Sequence, residues 1–232
     1  MPDPALYRYG IYYTPPDGAL ACFGAAWLGW NIASGQSAPH PEDITGLPTS
    51  IAELTETPRR YGFHATIKPP FRLAQGAQPE ALYDALANFC AARTPVTLDG
   101  TKLARLGRFV AIVPTGDTGA LDRLAADTVR QLDPFRAALT AAEIARRTHP
   151  RMSAAQSENL HRWGYPHVMD QFRWHMTLTG KRPAPEAARV QAALTPALAP
   201  LLARPLVIDA LSLVGEDNDG FFHLIHRAPL GR

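Results

Sequence analysis

The sequence predicts an α+β fold assembled from a duplicated strand-helix-strand-strand unit, and three observations predict it. The first is a phrase written twice: His64-Ala65-Thr66-Ile67 and His175-Met176-Thr177-Leu178, each preceded by an aromatic residue, Phe63 or Trp174. The second is the order of patterns that follows. A helical stripe, a strand-like run, a turn and a further strand come after each phrase. The third is spacing. From histidine to the next strand is 32 residues in the first unit (64 to 96) and 31 in the second (175 to 206), and to the last strand 46 (64 to 110) and 47 (175 to 222). Matched order and spacing argue for internal duplication, and a duplicated proton-transfer group beside a hydroxyl argues for one site built from two halves.

Each element has its own reason. Tyr7 to Tyr13 reads as an opening strand closed by Pro15-Pro16-Asp17-Gly18, with Arg8, Gly10 and Tyr12 on one face. Ala19 to Trp30 reads as helix, and residues 34–50, rich in Pro, Gly and Ser, as a loop able to cover a site. Read as strand, the first phrase puts His64, Thr66 and Lys68 on one face and Phe63, Ala65 and Ile67 on the other; the second puts His175, Thr177 and Thr179 opposite Trp174, Met176 and Leu178. One face carries chemistry and the other core. Pro69-Pro70 ends the first phrase, because proline supplies no ladder donor.

Pro79 to Arg93 stacks Leu82, Leu86, Phe89 and Cys90 on a helical stripe; Val96 to Arg105 and Phe109 to Val113 follow as strands around Gly107. Thr118 to Gln131 is a helix. Thr140-Ala141-Ala142-Glu143 and Ser153-Ala154-Ala155-Gln156 match the capping box, so two short helices start at Thr140 and Ser153. After the second phrase come a helix from Pro185 to Leu202, a strand from Leu206 to Val214, a turn over Glu216 to Gly220 and a strand from Phe221 to His226. The expected organisation is a single domain over 1–232, with lobe one at about 7–131, a helical insert at about 132–168 and lobe two at about 169–229.

Composition narrows the function classes. The chain has 232 residues and 46% hydrophobic content, enough for a sizeable core. It contains no apolar run of the roughly 20 residues a bilayer crossing needs. Met1-Pro2-Asp3-Pro4 lacks the basic start and apolar core of a signal peptide, so the expected address is cytoplasmic. Cys22 and Cys90 have neither metal nor redox spacing. A net charge of +2 is no footprint for duplex DNA, but Arg59, Arg60, Lys68, Lys102, Arg105 and Arg108 gather around the first phrase. A modestly positive cleft of this kind suits a small phosphorylated substrate.

The residue types suit phosphoester chemistry. In-line attack at phosphorus needs a base on the incoming oxygen, an acid on the leaving oxygen and donors to the equatorial oxygens. Two histidines and two threonines supply all of these, and no metal or cofactor is required. His-x-Thr lacks a second strong ligand, so a catalytic metal is not expected; the serine-hydrolase elbow and the Gly-rich phosphate loops are absent as well. The candidate catalytic residues are His64, Thr66, His175 and Thr177, with Lys68, Tyr12, Arg108 and Tyr165 as candidate substrate-binding residues. Arg173 has the wrong parity for the site, and His223 and His226 lie on opposite strand faces.

The paired phrases and near-duplicate halves resemble the two-histidine (2H) phosphoesterases. Tyr61-Gly62-Phe63-His64-Ala65-Thr66-Ile67-Lys68-Pro69-Pro70-Phe71, Arg162-Trp163-Gly164-Tyr165-Pro166 and Phe172-Arg173-Trp174-His175-Met176-Thr177-Leu178-Thr179 are more narrowly similar to the branch associated with phosphonate-utilisation operons. The resemblance implies a bilobal α+β fold, two antiparallel sheets facing a central cleft, His64 and His175 related by a pseudo-twofold, and metal-independent opening of a nucleoside 2′,3′-cyclic or ribose cyclic phosphate. Two other readings stand beside this one. In the first, the same cleft binds a nucleotide or RNA end without catalysis. In the second, the insert is a helix-turn-helix, although Arg146-Arg147-Thr148-His149-Pro150-Arg151 replaces the tight glycine turn. The insert is expected to wall the cleft, delivering Arg162, Tyr165 and His167 toward it.

Overall fold

A computed structural model describes residues 6–202 and 205–231. The Met1-Pro2-Asp3-Pro4 start lies outside them. The alternating apolar and polar runs build β1 (Arg8–Tyr13), β4 (Ala65–Phe71), β6 (Gly100–Leu106), β7 (Phe109–Thr115), β8 (Met176–Thr177), β10 (Ala210–Glu216) and β11 (Phe222–Pro229). These form one seven-stranded antiparallel sheet in the order β11-β10-β1-β4-β8-β7-β6. The short strands pair separately, β2 (Trp30–Asn31) with β3 (Gln36–Ser37) and β5 (Val96–Leu98) with β9 (Leu206–Ile208). The two sheets expected from the resemblance therefore meet as two halves of one sheet, β11-β10-β1-β4 and β8-β7-β6. Their seam is a single residue pair, Ala65 with Met176.

Stripes of apolar residues bring α1 (Ala19–Leu28), α3 (Pro79–Ala91), α4 (Gly119–Gln131) and α7 (Ala184–Leu198) against one face of this sheet. α3 lies against β10 and β11, α7 against β6 and β7, and α4 against β4. The packing is close: a Cβ on Gly24 of α1 would sit 2.0 Å from the Phe63 ring, directly before His64. Tyr9, Ile11 and Tyr13 face this core, while Arg8, Gly10 and Tyr12 take the opposite face, as strand alternation requires. No helix among the described residues is long and apolar enough to cross a membrane.

The repeat is real but out of phase with the sequence reading. In the sheet, β4-β1-β10 matches β8-β7-β6 across the seam, so β1 corresponds to β7 and each unit begins at that strand. Gly18-Ala19-Leu20 and Gly119-Ala120-Leu121, opening the helices that follow β1 and β7, echo the correspondence. The third strand of each unit is exchanged: β6 follows α3 in the chain but lies beside β7, and β10 follows α7 but lies beside β1. The sheet halves are thus not the contiguous segments 7–131 and 169–229.

Two further features bear on the site. α2 (Ile51–Arg59), which fell outside the expected elements, is N-capped by Ser50, whose side chain accepts from the Glu53 amide. The insert contains α5 (Ala141–Arg147) and α6 (Ala154–Trp163), and both predicted capping boxes are formed, at Thr140 with Glu143 and at Ser153 with Gln156.

Candidate active site

The site is built on the seam. Because Ala65 pairs with Met176 in antiparallel register, continuing the register sets His64 opposite Thr177 and Thr66 opposite His175. Ala65 and Met176 are buried toward the helices, and all four polar residues are half-buried on the other face. Both imidazoles are oriented in the same way. His64 Nδ1 bonds the Gly62 carbonyl at 2.9 Å and His175 Nδ1 bonds the Arg173 carbonyl at 2.7 Å, in each case two residues back. A carbonyl can only accept, so Nδ1 carries the proton in both neutral rings and Nε2 is left as the basic atom. Thr66 Oγ1 lies 3.1 Å from His64 Nε2 and donates to it. Gly62 has a φ of 70°, and a Cβ there would meet Ile32 at 2.6 Å, so the turn that aims His64 requires glycine.

The two half-sites differ in their surroundings. Tyr12 stacks on His64 with centroids 3.8 Å apart, and Tyr61 lies 6.3 Å from the same ring. In β7 the position matching Tyr12 is Ala111, and the aromatic partner of His175 is Phe109 at 5.5 Å. Burial, with a smaller push from His175, lowers the pKa of His64 from 6.5 to about 4; burial also lowers that of His175. The unfolded chain therefore binds protons below about pH 6.5 that folded His64 refuses until about pH 4. Stability contributed by neutral His64 is present above pH 6.5 and lost as pH falls through that window. Urea midpoints of a His64→Gln variant are expected to depend less steeply on pH between these limits than those of the parent; parallel profiles would contradict the assignment.

The remaining candidates separate. Tyr12 and Tyr165 belong to the His64 side: Tyr12 stacks on His64, and Tyr165 lies near enough to raise the pKa of Tyr12. Lys68 does not reach the cleft. β4 is bulged against β1, with Tyr12 opposite Thr66 but Ile11 opposite Lys68, so one step of β1 spans two of β4. The extra residue, Ile67, stays in the core and inverts the alternation after it, which turns Lys68 toward α4. There its ammonium is buried and donates to Val129 O and Asp133 Oδ1, both at 3.1 Å, and burial lowers its pKa to about 8. Arg108 is exposed on the β6–β7 turn, and no described contact joins it to either histidine. Arg173 contributes its carbonyl while its side chain is exposed.

Sequence reasoning put Arg8 on the face of Tyr12 but gave it no role, and it missed Tyr61 and Arg147. Arg8 shares the face of Tyr12 and forms a two-point ion pair with Glu216. Arg147 ends α5, half-buried in the field of Tyr165, instead of lying on a basic outer surface as a DNA-reading insert requires. Among the described residues no group of three or more metal-ligating side chains comes together.

Comparison with known proteins shows the family of the chain. A family model described as "Protein of unknown function (DUF1045)" matches residues 66–223, more than half of the chain. The chain belongs to the DUF1045 family. This DUF1045 protein is 37% identical over 222 residues to a protein of Janthinobacterium sp. (strain Marseille) named ribose 1,5-bisphosphate phosphokinase PhnN, covering 93% of this chain and 49% of that one. It is 32% identical over 182 residues to a protein of the same name from Laribacter hongkongensis (strain HLHK9), covering 75% and 40%. The chain thus spans half or less of the length of the curated relatives it matches. Among solved structures the DUF1045 protein is similar to TT0787 of Thermus thermophilus, with a TM-score of 0.47, 13% identity and 97% and 99% coverage. It is also similar to E. coli LigT complexed with ATP, with a TM-score of 0.45, 13% identity and 98% and 100% coverage. These structural likenesses are too distant to carry a functional argument.

Proposed function

We propose that this protein is a metal-independent phosphodiesterase that opens a small cyclic phosphate, either a ribose cyclic phosphate or a nucleoside 2′,3′-cyclic phosphate, by two-histidine acid and base catalysis. The observation that carries the reading is the matched orientation of His64 and His175, both presenting Nε2 on one face of a one-pair seam with a threonine opposite each. Water attacks phosphorus as one imidazole takes its proton. The bond from phosphorus to a ring oxygen breaks, and that oxygen receives a proton from the second imidazole, leaving a phosphomonoester. Burial under Tyr12 holds His64 in its proton-accepting form, which favours it as base and His175 as acid. With substrate bound, Thr66 turns its hydroxyl from His64 Nε2 to an equatorial oxygen, which frees Nε2 for the proton of water, and Thr177 donates to the other.

The names of the relatives support a ribose phosphate as substrate. Their kinase activity does not carry over, since this chain has no Gly-x-x-x-x-Gly-Lys-Ser/Thr loop to cradle a nucleoside triphosphate and matches only part of each relative. Incubation with the cyclic phosphates in excess chelator, followed by chromatography for the ring-opened monoester, tests the reaction. Saturable binding without product in that panel would instead favour a non-catalytic nucleotide-binding or RNA-end-binding module. Thr66→Val and Thr177→Val are each expected to lower kcat by about 10²-fold. Unchanged kcat in both would remove the threonines from the mechanism.

A further inference from the structure

We propose that Arg147, Arg8 and the hydroxyls of Tyr12 and Tyr165 form a second anion subsite beside His64, which takes a phosphomonoester carried by the substrate in addition to its cyclic phosphate. The inference rests on the phosphodiesterase reading and names the substrate class: a pentose cyclic phosphate with a further phosphate on the sugar.

Two buried polar atoms on this side have no partner among the described residues. Tyr12 is 0% exposed, stacks on His64 and leaves its hydroxyl unbonded, and Arg147 Nη1 is buried and equally unpaired. A buried donor without an acceptor costs about 1–3 kcal/mol, a cost that a bound anion would remove. The fold brings the two sources together. Arg72, next after β4, pairs with Glu143 of α5, and Phe71 before it lies opposite Tyr9, the neighbour of Arg8. Arg147 is one turn beyond Glu143 on the same helix face, so the tie sets it toward the end of β1 that carries Arg8, whose charge acts on it.

Tyr165 links the group. It titrates in the field of Arg147 and Tyr61, and Tyr12 in that of Tyr61, Arg8 and Tyr165. The nearby carboxylates are already hydrogen-bonded, Glu216 to Arg8 and Glu143 to Arg72, so Arg147, though in the field of Glu143, has no carboxylate on its fork among the described residues. A guanidinium fork flanked by phenol donors is suited to the three oxygens of a phosphomonoester.

The subsite exists on one side only. By the seam register the counterpart of Tyr12 is Ala111, and four residues before it, where β1 has Arg8, the chain is already in the β6–β7 turn at Gly107. At these two positions the other half therefore has neither the phenol nor the cation. A substrate with two phosphates would bind in one direction, which breaks the near-symmetry of the histidines and assigns each its role.

The test compares adenosine 2′,3′-cyclic phosphate with and without a 5′-phosphate as substrates, and ribose 5-phosphate with ribose as ligands by calorimetry. The parent protein is expected to prefer the 5′-phosphorylated substrate about 10- to 100-fold in kcat/KM, the size of one charged hydrogen bond. Arg147→Gln should bring that ratio close to one, and Tyr165→Phe should reduce it in part. Turnover of both substrates without preference overturns the subsite and leaves the phosphodiesterase reading in place. Absence of turnover, with ribose 5-phosphate bound and Arg147→Gln weakening it, keeps the subsite and removes the reaction. Absence of both turnover and phosphate-dependent binding removes the subsite as well.

Discussion

Replacing either His64 or His175 by alanine is expected to lower kcat on a cyclic phosphate by about 10²–10⁴-fold, the contribution of one positioned proton-transfer group. The loss should be similar for the two sites, because their Nδ1 bonds and strand positions are matched. The double variant should lose little more than the worse single, since the groups act as a unit. Both variants should keep the far-ultraviolet circular dichroism of the parent, as each imidazole is half-buried at the cleft and the core packs on the opposite face. A single variant that retains parental kcat would take that histidine out of the chemistry.

Replacing Asp133 by alanine is expected to cost about 3–5 kcal/mol of stability, well above the loss of a solvent-exposed ion pair. Lys68 is only 1% exposed, and Asp133 is its carboxylate partner. Asp133 also holds Arg136 through bonds of 2.7 and 3.0 Å, and Arg136 bonds the Arg162 carbonyl at 3.1 Å, so the same carboxylate ties the insert to the sheet. Removing it strands a buried ammonium. Urea unfolding measures the loss, and adding Lys68→Met should recover most of it by replacing the orphaned charge with apolar volume. A loss under about 1 kcal/mol, the size of a surface pair, would contradict this account of Lys68.

Lys68 also shows where sequence reading stops. Alternation assigned His64, Thr66 and Tyr12 to the cleft, because period-two geometry holds along an unbroken strand. It misassigned Lys68, because the β4 bulge is a backbone irregularity that residue types alone do not reveal. Local hydrogen-bond chemistry was equally legible, with both capping boxes at Thr140 and Ser153 formed as written. α2 carried a similar signal in Ser50 and Glu53, obscured by the Pro-rich run before it and by Pro58 inside it. The phase of the repeat was hidden because β6 and β10 change places between the halves, and strand exchange is a long-range event with no local signature. Arg147 read as part of a basic linker for the same reason: the Arg72–Glu143 pair that ties its helix to the end of β4 is a long-range contact.

That two histidines on matched strand positions open a cyclic phosphodiester with water is tested most directly by phosphorus NMR of turnover in ¹⁸O-labelled water with excess chelator. The expected product is a phosphomonoester whose resonance carries the isotope shift of a single ¹⁸O, formed by the parent and lost in His64→Ala and His175→Ala. No turnover, or turnover that appears only when a divalent metal is restored, would contradict the two-histidine mechanism.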